Sequence, residues 1–331
     1  MFEWKKARTA ADSENSVLTA DPREQAASHD DLPLLGPFPA STASTSATAE
    51  AKSRNIRGLL TTLDKDLTAG KLEIPGFPDI ALRLHEALRQ EETPAHEIVA
   101  LINSEPGLVS RLLRISNTAA FNTSGKVIAD LQAAVARLGF KVVLSAAHSY
   151  SLQQMEKQDS LRPIRPWLAE IWLSSNAVAA ICYVVAKRVG HLSNEAMVAG
   201  LLHRIGDLYL LVQAVKRDVD IQDDTEWDAI VVKWHATIGG RILHQWKLPD
   251  YIADAVSMQD SLGLPDIDEL NPFSALLAAA KLYNGVRDQQ AGEKAAEAAA
   301  LLEPIEVWGC SFLRLVADCH DEIKAIRTAI A

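Results

Sequence analysis

The apolar residues of this chain recur at the spacing of a helix face, and this spacing constrains the fold more than any other feature of the sequence. The first such face follows the pattern i, i+3, i+4, i+7 and i+11, with Gly70 as a stop signal, through Ile56, Leu59, Leu60, Leu63 and Leu67. Similar runs continue to Ile330, and several begin at Ser, Thr, Asp or Pro. We find no convincing alternation of the kind seen in half-buried strands. The sequence therefore predicts an all-α protein with almost no sheet.

The composition is that of an ordinary globular protein. Of the 331 residues, 48% are hydrophobic and 23% are charged, which is enough apolar material for a sizeable core. The net charge of -10 repels nucleic acid phosphates and anionic membrane surfaces, because such partners are attracted by clustered Lys and Arg. We therefore expect no nucleic acid partner.

The sequence carries no recognisable signal for export or membrane insertion. Polar residues rather than an apolar core follow Met1–Arg8, and no uninterrupted apolar run reaches the ~18 residues of a membrane span. The three cysteines, Cys182, Cys310 and Cys319, lack CxxC spacing and indicate neither a disulfide framework nor a zinc knuckle. We predict a reducing, cytoplasmic location without membrane insertion.

The N-terminal segment differs in composition from the rest of the chain. Residues 1–53 are rich in Ala, Ser, Thr, Asp and Pro, with a low-complexity core at Ala40–Thr48. Such a segment buries too little apolar surface to offset the entropy lost on ordering. We predict a disordered leader over residues 1–53. Further along, Gly139 is expected to close a helix, and one helix is expected to run from Ser311 to Ile330.

Two blocks of short motifs follow one another along the helical region. The first block contains Ile74–Pro78, Ala100–Leu108, Arg111–Ala119 and Ala134–Gly139. The second block contains Ala199–Gly206, His235–Gly240 and Trp246–Pro249. In this order and spacing the motifs resemble those of the HDOD family, the HD-related output domains of bacterial signalling proteins. Glu105 and Thr118 stand where that family usually has Asp and Ser.

The resemblance implies a fold and a division of the chain. The expected fold is an HDOD-type helical bundle, in which an N-terminal helical subdomain packs on a degenerate HD-like bundle. The expected parts are the leader 1–53, the N-terminal subdomain 54–160, the HD-like subdomain 161–265 and a C-terminal helical extension 266–331.

The resemblance also implies where the metal ligands of an active HD enzyme would fall. The early His, the His-Asp pair and the late Asp map onto Ser174, His203, Arg204 and Lys281. An extra histidine pair found in some relatives would fall near Gln259 and Asp260. His203 and His235 are then the remaining candidate ligands.

The residue types at these positions disfavour a divalent metal. Arginine has no lone pair to offer, and lysine offers one only when strongly desolvated. In a partly buried site, each cation in place of a carboxylate repels a divalent metal by several kcal/mol. Asp207, one turn beyond His203, is the nearby carboxylate that we expect to pair with Arg204. We therefore predict no metal and no cofactor.

Three functions remain open on the sequence. The leading hypothesis is a non-catalytic signalling module that binds a protein partner or a small ligand and is not an enzyme. The second is a divergent phosphohydrolase or cyclic-nucleotide phosphodiesterase, whose ligands are drawn from His203, His235, Asp207 and Asp260. The third is a nucleotide sensor without hydrolysis, in which Arg204 and Lys281 form an anion-binding pocket for a phosphate.

Overall fold

The described part of the chain is built almost entirely from α-helices, as the sequence predicts. The computed structural model describes residues 46–330, except 75–76, 91–92, 120, 123, 220, 222–224, 264–269 and 288–292. The N-terminal helices are α1 (Ser46–Ala69), α2 (Ile80–Arg89), α3 (Ala95–Asn103), α4 (Pro106–Ser116) and α5 (Leu131–Glu156). A 3₁₀ turn at Asp159–Ile164 leads to α6 (Arg165–Arg188), α7 (Ser193–Leu202), α8 (Ile205–Lys216), α9 (Thr225–Gln245) and α10 (Asp250–Ser257).

Among the described residues, the part of the chain that follows α10 contains four helices and one short two-stranded sheet. Its elements are α11 (Pro272–Val286), α12 (Glu293–Leu302), β1 (Glu306–Val307), β2 (Cys310–Ser311), α13 (Phe312–Asp318) and α14 (His320–Ile330). The two strands pair antiparallel over two residues each. The prediction of a single helix from Ser311 to Ile330 is therefore wrong. The structure has two helices there, because the chain leaves helical geometry at Cys319, with φ -110° and ψ 15°. Asp and Cys are poor helix formers, which favours a break at this point.

Helix α1 also begins earlier than the composition suggests. It begins at Ser46, so residues 46–53, which the sequence predicts to belong to the disordered leader 1–53, are helical. Ala and Glu in this stretch are strong helix formers, and the composition averaged over the whole segment hides them. Residues 1–45 of the predicted leader lie outside the described residues.

Gly139 marks a kink inside α5. Its φ of 74° lies in the left-handed region that glycine adopts without strain, so the helix expected to close there continues in a new direction to Glu156. Asp130 begins the helix as its N-cap, since its Oδ1 accepts a hydrogen bond from the Ala133 backbone N–H at 2.8 Å.

The innermost helices are α6, α7 and α8. Among the described residues, two segments have the length and hydropathy of a membrane span, Asp159–Arg188 and Ser193–Lys216, and 72% and 94% of their most apolar stretches are buried. Burial in the core accounts for their apolarity. The absence of membrane insertion stays a prediction.

Several contacts join the N-terminal helices to the rest of the bundle. Helix α5 packs on α6 and α7, and the Tyr209 hydroxyl of α8 donates to Asp66 of α1 at 2.7 Å. The last helix, α14, packs on both α6 and α4. The boundary predicted at residue 160 falls in the 3₁₀ turn, and the one at residue 265 lies outside the described residues.

Candidate functional site

A buried turn between α7 and α8 carries the two residues that stand in place of the His-Asp pair. The His203 side chain is fully buried, and its Nδ1 lies 2.7 Å from the Gly200 carbonyl oxygen. Because a carbonyl only accepts, Nδ1 carries the proton in this bond, and Nε2 holds the lone pair when the ring is neutral. This is the tautomer that metal-binding histidines usually have.

Arg204, the next residue, is paired with carboxylates on two helices. Its side chain is 3% exposed. Its Nε donates to Asp207 Oδ2 at 2.8 Å, one turn further along α8, and its Nη1 donates to Glu170 Oε1 of α6 at 3.0 Å. The ion pair with Asp207 that the sequence predicts is therefore present.

A second set of charged groups continues from Asp207 across the bundle. His235 of α9 places Nδ1 3.5 Å from Asp207 Oδ1, which is an electrostatic contact rather than a hydrogen bond. Its Nε2 lies 2.8 Å from Asp260 Oδ2, just beyond α10. Lys281 of α11 donates to Asp260 Oδ1 at 2.6 Å. We call these six residues the charged cluster: Glu170, Arg204, Asp207, His235, Asp260 and Lys281.

The pKa values of Asp207, whose side chain is 5% exposed, and of Asp260, whose side chain is 50% exposed, follow from these contacts. Burial acts to raise the pKa of Asp207, but His235, Arg204 and Lys281 outweigh burial and hold it below its usual value. At Asp260, burial again acts to raise the pKa, and Lys281 and His235 hold it far below its usual range. Both carboxylates are therefore charged at neutral pH.

A glycine brings α9 close enough to α8 for this arrangement. A Cβ placed on Gly206 would lie 1.9 Å from the His235 carbonyl oxygen and 2.9 Å from the Gly239 nitrogen. These distances are far below contact between non-bonded atoms, so only glycine fits without movement of a helix. Because Gly206 and His235 are in backbone contact, the imidazole of His235 is placed beside Asp207. The glycine in the His203–Gly206 motif thus has a packing role that its position in the sequence does not reveal.

The remaining predicted positions lie around the charged cluster. Ser174 is on α6, one turn beyond Glu170 on the same helix face, and its buried Oγ makes no hydrogen bond within the described part of the chain. Gln259 Nε2 donates to the His203 carbonyl oxygen at 2.8 Å, which fixes the turn next to Asp260. The structure therefore joins Arg204, His235 and Lys281 in one network and places Ser174 and His203 beside it. Sequence reasoning missed Glu170, although its spacing of four residues from Ser174 would have indicated it.

The donor set does not fit a divalent metal. At two of the expected ligand positions, Arg204 and Lys281 bring permanent cations, and each already donates to a carboxylate. Within the described ranges, no group of three or more His, Cys, Asp or Glu is placed to hold a metal ion. Three carboxylates face two permanent cations in the cluster, so its fixed charge is close to balanced.

An open cavity lies along α9 and the segment after α1. It has a volume of about 620 Å³ and is bordered by Thr237, Arg241, His244 and Gln245, with Leu72, Gly70 and Ser257. The α9 residues at this cavity are about half a helical turn away from His235. None of the predicted site residues borders it.

Comparison with known proteins gives the same architecture. The family model described as "HDOD domain" matches residues 74–262. A crystal structure from Shewanella amazonensis SB2B, provisionally named a metal-dependent phosphohydrolase, is 21% identical, with a TM-score of 0.63 over 84% of this chain and 100% of that one. A crystal structure of an HDOD domain protein with unknown function from Geobacter sulfurreducens is 22% identical, with a TM-score of 0.55 over 81% of this chain and 96% of that one.

A curated relative is similarly distant. An uncharacterized protein of Treponema pallidum (strain Nichols) is 23% identical over 202 residues, which are 57% of this chain and 38% of the relative. The chain thus spans well under half the length of that relative. At these identities the solved structures show the shared fold.

Proposed function

The chain belongs to the HDOD family, and from this premise we propose that it is a non-catalytic signal-transduction module that acts by binding a protein partner or a small ligand. Its HD-like helices serve as a scaffold rather than as a catalytic centre. The partner is a signalling protein, and the protein works without metal or cofactor in a cytoplasmic setting.

One observation carries this proposal. Arg204 and Lys281 stand where an active HD enzyme would have two metal-binding carboxylates, and both are held in place by internal ion pairs. The guanidinium of Arg204 bridges α8 and α6, and Lys281 bridges α11 to the segment after α10. These cations supply positive charge between helices that a metal would otherwise link. The charged cluster is in this view a structural replacement for the metal centre.

The two other functions find less support in this geometry. Hydrolysis would require a metal, and the carboxylates next to His235, those of Asp207 and Asp260, are already paired with Arg204 and Lys281. No group of three or more His, Cys, Asp or Glu among the described residues is placed to hold a metal ion. A nucleotide sensor would require Arg204 and Lys281 to face an open anion pocket. Arg204 is 3% exposed and bonded to two carboxylates, and Lys281 is bonded to Asp260. The cluster's own acids therefore already offset these positive charges, which weakens their attraction for a phosphate.

Metal analysis of the full chain tests the proposal. The protein is purified without chelator or metal-affinity resin, incubated with Mn²⁺, Fe²⁺ or Zn²⁺, desalted and measured by elemental analysis. We expect far less than one metal per chain and no metal-dependent hydrolysis of bis(p-nitrophenyl) phosphate. Stoichiometric metal that disappears in His203→Ala, together with hydrolysis, would overturn the proposal.

A variant that restores metal-binding residue types tests the same proposal by a gain of metal binding. The triple variant Ser174→His/Arg204→Asp/Lys281→Asp restores donor types at the three altered positions. We expect Mn²⁺ to raise its melting temperature while leaving that of the wild type unchanged, because ligand binding to the native state stabilises it. The matched control, Lys65→Asp/Lys71→Asp, makes the same change in net charge at exposed positions and should not respond. An equal response in wild type and triple variant would contradict the replacement of metal by the two cations.

A further inference from the structure

The last helix of the chain lies outside the matched family domain and covers part of it. Helix α14 is amphipathic, with Ile323, Ile326 and Ile330 buried at the spacing i, i+3 and i+7. This apolar stripe packs on α6 and α4. The family match ends at residue 262, so α14 lies beyond the matched residues and rests on helices within them.

A buried polar group meets the C-terminal end of α14. Arg111 of α4 is 5% exposed and donates to Ser149 Oγ at 3.0 Å and to Gln153 Oε1 at 2.9 Å, both on α5. The Ser149 Oγ lies 2.9 Å from Asn176 Oδ1 of α6 and 3.1 Å from the Ile330 carbonyl oxygen of α14. Four helices therefore converge on one hydroxyl group.

Arg111 is a buried charge on the apolar face of α4. It lies on the apolar stripe of α4 with Leu108, Leu112 and Ile115, where a core residue is expected. Burial lowers the pKa of Arg111 to about 10, with Arg114 adding to the effect. A helix ends with free carbonyl groups and partial negative charge, so the end of α14 is the electrostatic complement of a buried guanidinium. We call Arg111, Ser149, Gln153 and Asn176 the polar anchor.

The start of α14 is held much less firmly. Lys187 of α6 donates to Glu322 at 2.7 Å, but these side chains are 44% and 38% exposed. Exposed ion pairs of this kind contribute little to stability. The chain also leaves helical geometry at Cys319, just before α14. The helix is thus held by one apolar stripe, as in helix-in-groove recognition, and by one polar contact at its end.

We propose that the groove between α4 and α6 is a docking site for an amphipathic helix of a partner protein, whose C-terminal end faces Arg111, and that α14 occupies this groove until the partner displaces it. The resident helix defines the chemistry of the occupant, namely apolar residues at i, i+3 and i+7 followed by a helix end. This inference names the partner class for the binding role proposed above and rests on it. Because a tethered helix competes at a high effective concentration, a displacing partner needs a better apolar face or a second contact.

Hydrogen exchange of the unaltered full chain is the first test. If α14 is separable, its amides exchange at least 100-fold faster than those of α6, because they open without global unfolding. If the two helices exchange at the same rate, α14 is part of the core and the proposal is overturned.

A peptide with the sequence of residues 312–330 is the second probe. It is acetylated, amidated and labelled for fluorescence anisotropy, so that it adds no terminal carboxylate. We expect weak binding to the wild type, whose groove is filled, and binding at least 10-fold tighter to the full-length variant Ile326→Asp, whose own α14 is released. Absence of binding to a folded Ile326→Asp protein would overturn the proposal.

Loss of the polar anchor completes the test. We expect Arg111→Met, added to Ile326→Asp, to weaken peptide binding at least 10-fold. The matched control is Arg114→Met, which removes an exposed arginine one turn away on the same helix. Equal losses in both would refute recognition by Arg111. The metal measurements above address the scaffold role independently, so failure of either proposal can be told from failure of the other.

Discussion

Removal of the Arg204 side chain measures how strongly the charged cluster depends on its buried ion pair. In Arg204→Met, Asp207 keeps its burial at 4% exposure but loses the guanidinium 2.8 Å away. Breaking a buried pair by removal of one partner costs about 3–5 kcal/mol when the other charge is left unpaired, but His235 Nδ1, 3.5 Å from Asp207 Oδ1, still offsets part of that charge. The bond to Glu170 adds about 0–1 kcal/mol, since that carboxylate is 43% exposed. Because His235 remains beside Asp207, we expect the free energy of unfolding to fall by about 3 kcal/mol, the lower end of that range.

The partner substitution and the double variant show whether the loss belongs to the pair. Asp207→Leu leaves Arg204 bonded to Glu170, so we expect a smaller loss than for Arg204→Met. Arg204→Met/Asp207→Leu removes both charges and fills the space with apolar atoms. Replacement of a whole buried pair is often neutral or stabilising, so the double variant should lie within about 1 kcal/mol of the wild type.

Urea unfolding followed by far-UV circular dichroism at pH 7 gives these values, provided that the slope of free energy against urea is unchanged. The reasoning fails if the double variant loses the sum of the two single losses, because independent residues behave additively. As a control, Lys141→Met breaks an ion pair with Glu195 whose lysine is 63% exposed. It should cost about 0–1 kcal/mol.

Three further predictions follow from single contacts. Gly206→Ala places a methyl group against the His235 carbonyl oxygen, and since that atom belongs to helix backbone we expect a loss of about 3 kcal/mol or more, measured by urea unfolding. Burial lowers the pKa of His148 from 6.5 to about 3, so the unfolded state binds more protons between these values. Stability should therefore fall by about 1.4 kcal/mol per pH unit from pH 6 to pH 4, a slope that His148→Leu removes from unfolding curves. Tyr209→Phe loses the 2.7 Å hydrogen bond to Asp66 and should cost about 0.5–1.5 kcal/mol, seen as a lower melting temperature.

Control variants show whether each change in stability comes from the named contact or from substitution in general. Gly58→Ala adds the same methyl group in α1, where no atom lies within 4 Å, and should stabilise the protein by about 0.5–1 kcal/mol. If Gly206→Ala, like Gly58→Ala, does not lower the free energy of unfolding, α8 and α9 are not in the close contact described above. If His148→Leu keeps the wild-type pH slope, another group causes the acid sensitivity.

The sequence predicts the helices well because each depends on local spacing. The apolar stripe of α1, the N-cap at Asp130 and the kink at Gly139 all depend on residues a few positions apart, although the helix continues beyond Gly139. The ion pair of Arg204 with Asp207 is predictable for the same reason, since the two residues are three apart on one helix. The early start of α1 was missed because a composition average hides a short helix-forming stretch.

The contacts between helices could not be predicted in this way. Asp260 meets both His235 and Lys281, and nothing in the spacing along the chain fixes which faces of α9 and α11 turn toward it. The close approach of Gly206 to His235 likewise depends on the packing of whole helices. Arg111 did carry a local signal, because a charged residue on the apolar stripe of α4 already indicates a buried polar contact.

The internal cations of the charged cluster also affect how the protein reaches its native state. A bundle joined by a metal ion needs that ion to complete folding, so the amount of finished protein follows the metal supply of the cell. Arg204 and Lys281 are part of the chain, so every molecule contains both. A chelator cannot remove them, and a competing ion cannot replace them. If the charged cluster replaces a metal centre as proposed, starvation for manganese, iron or zinc should leave the folded population unchanged.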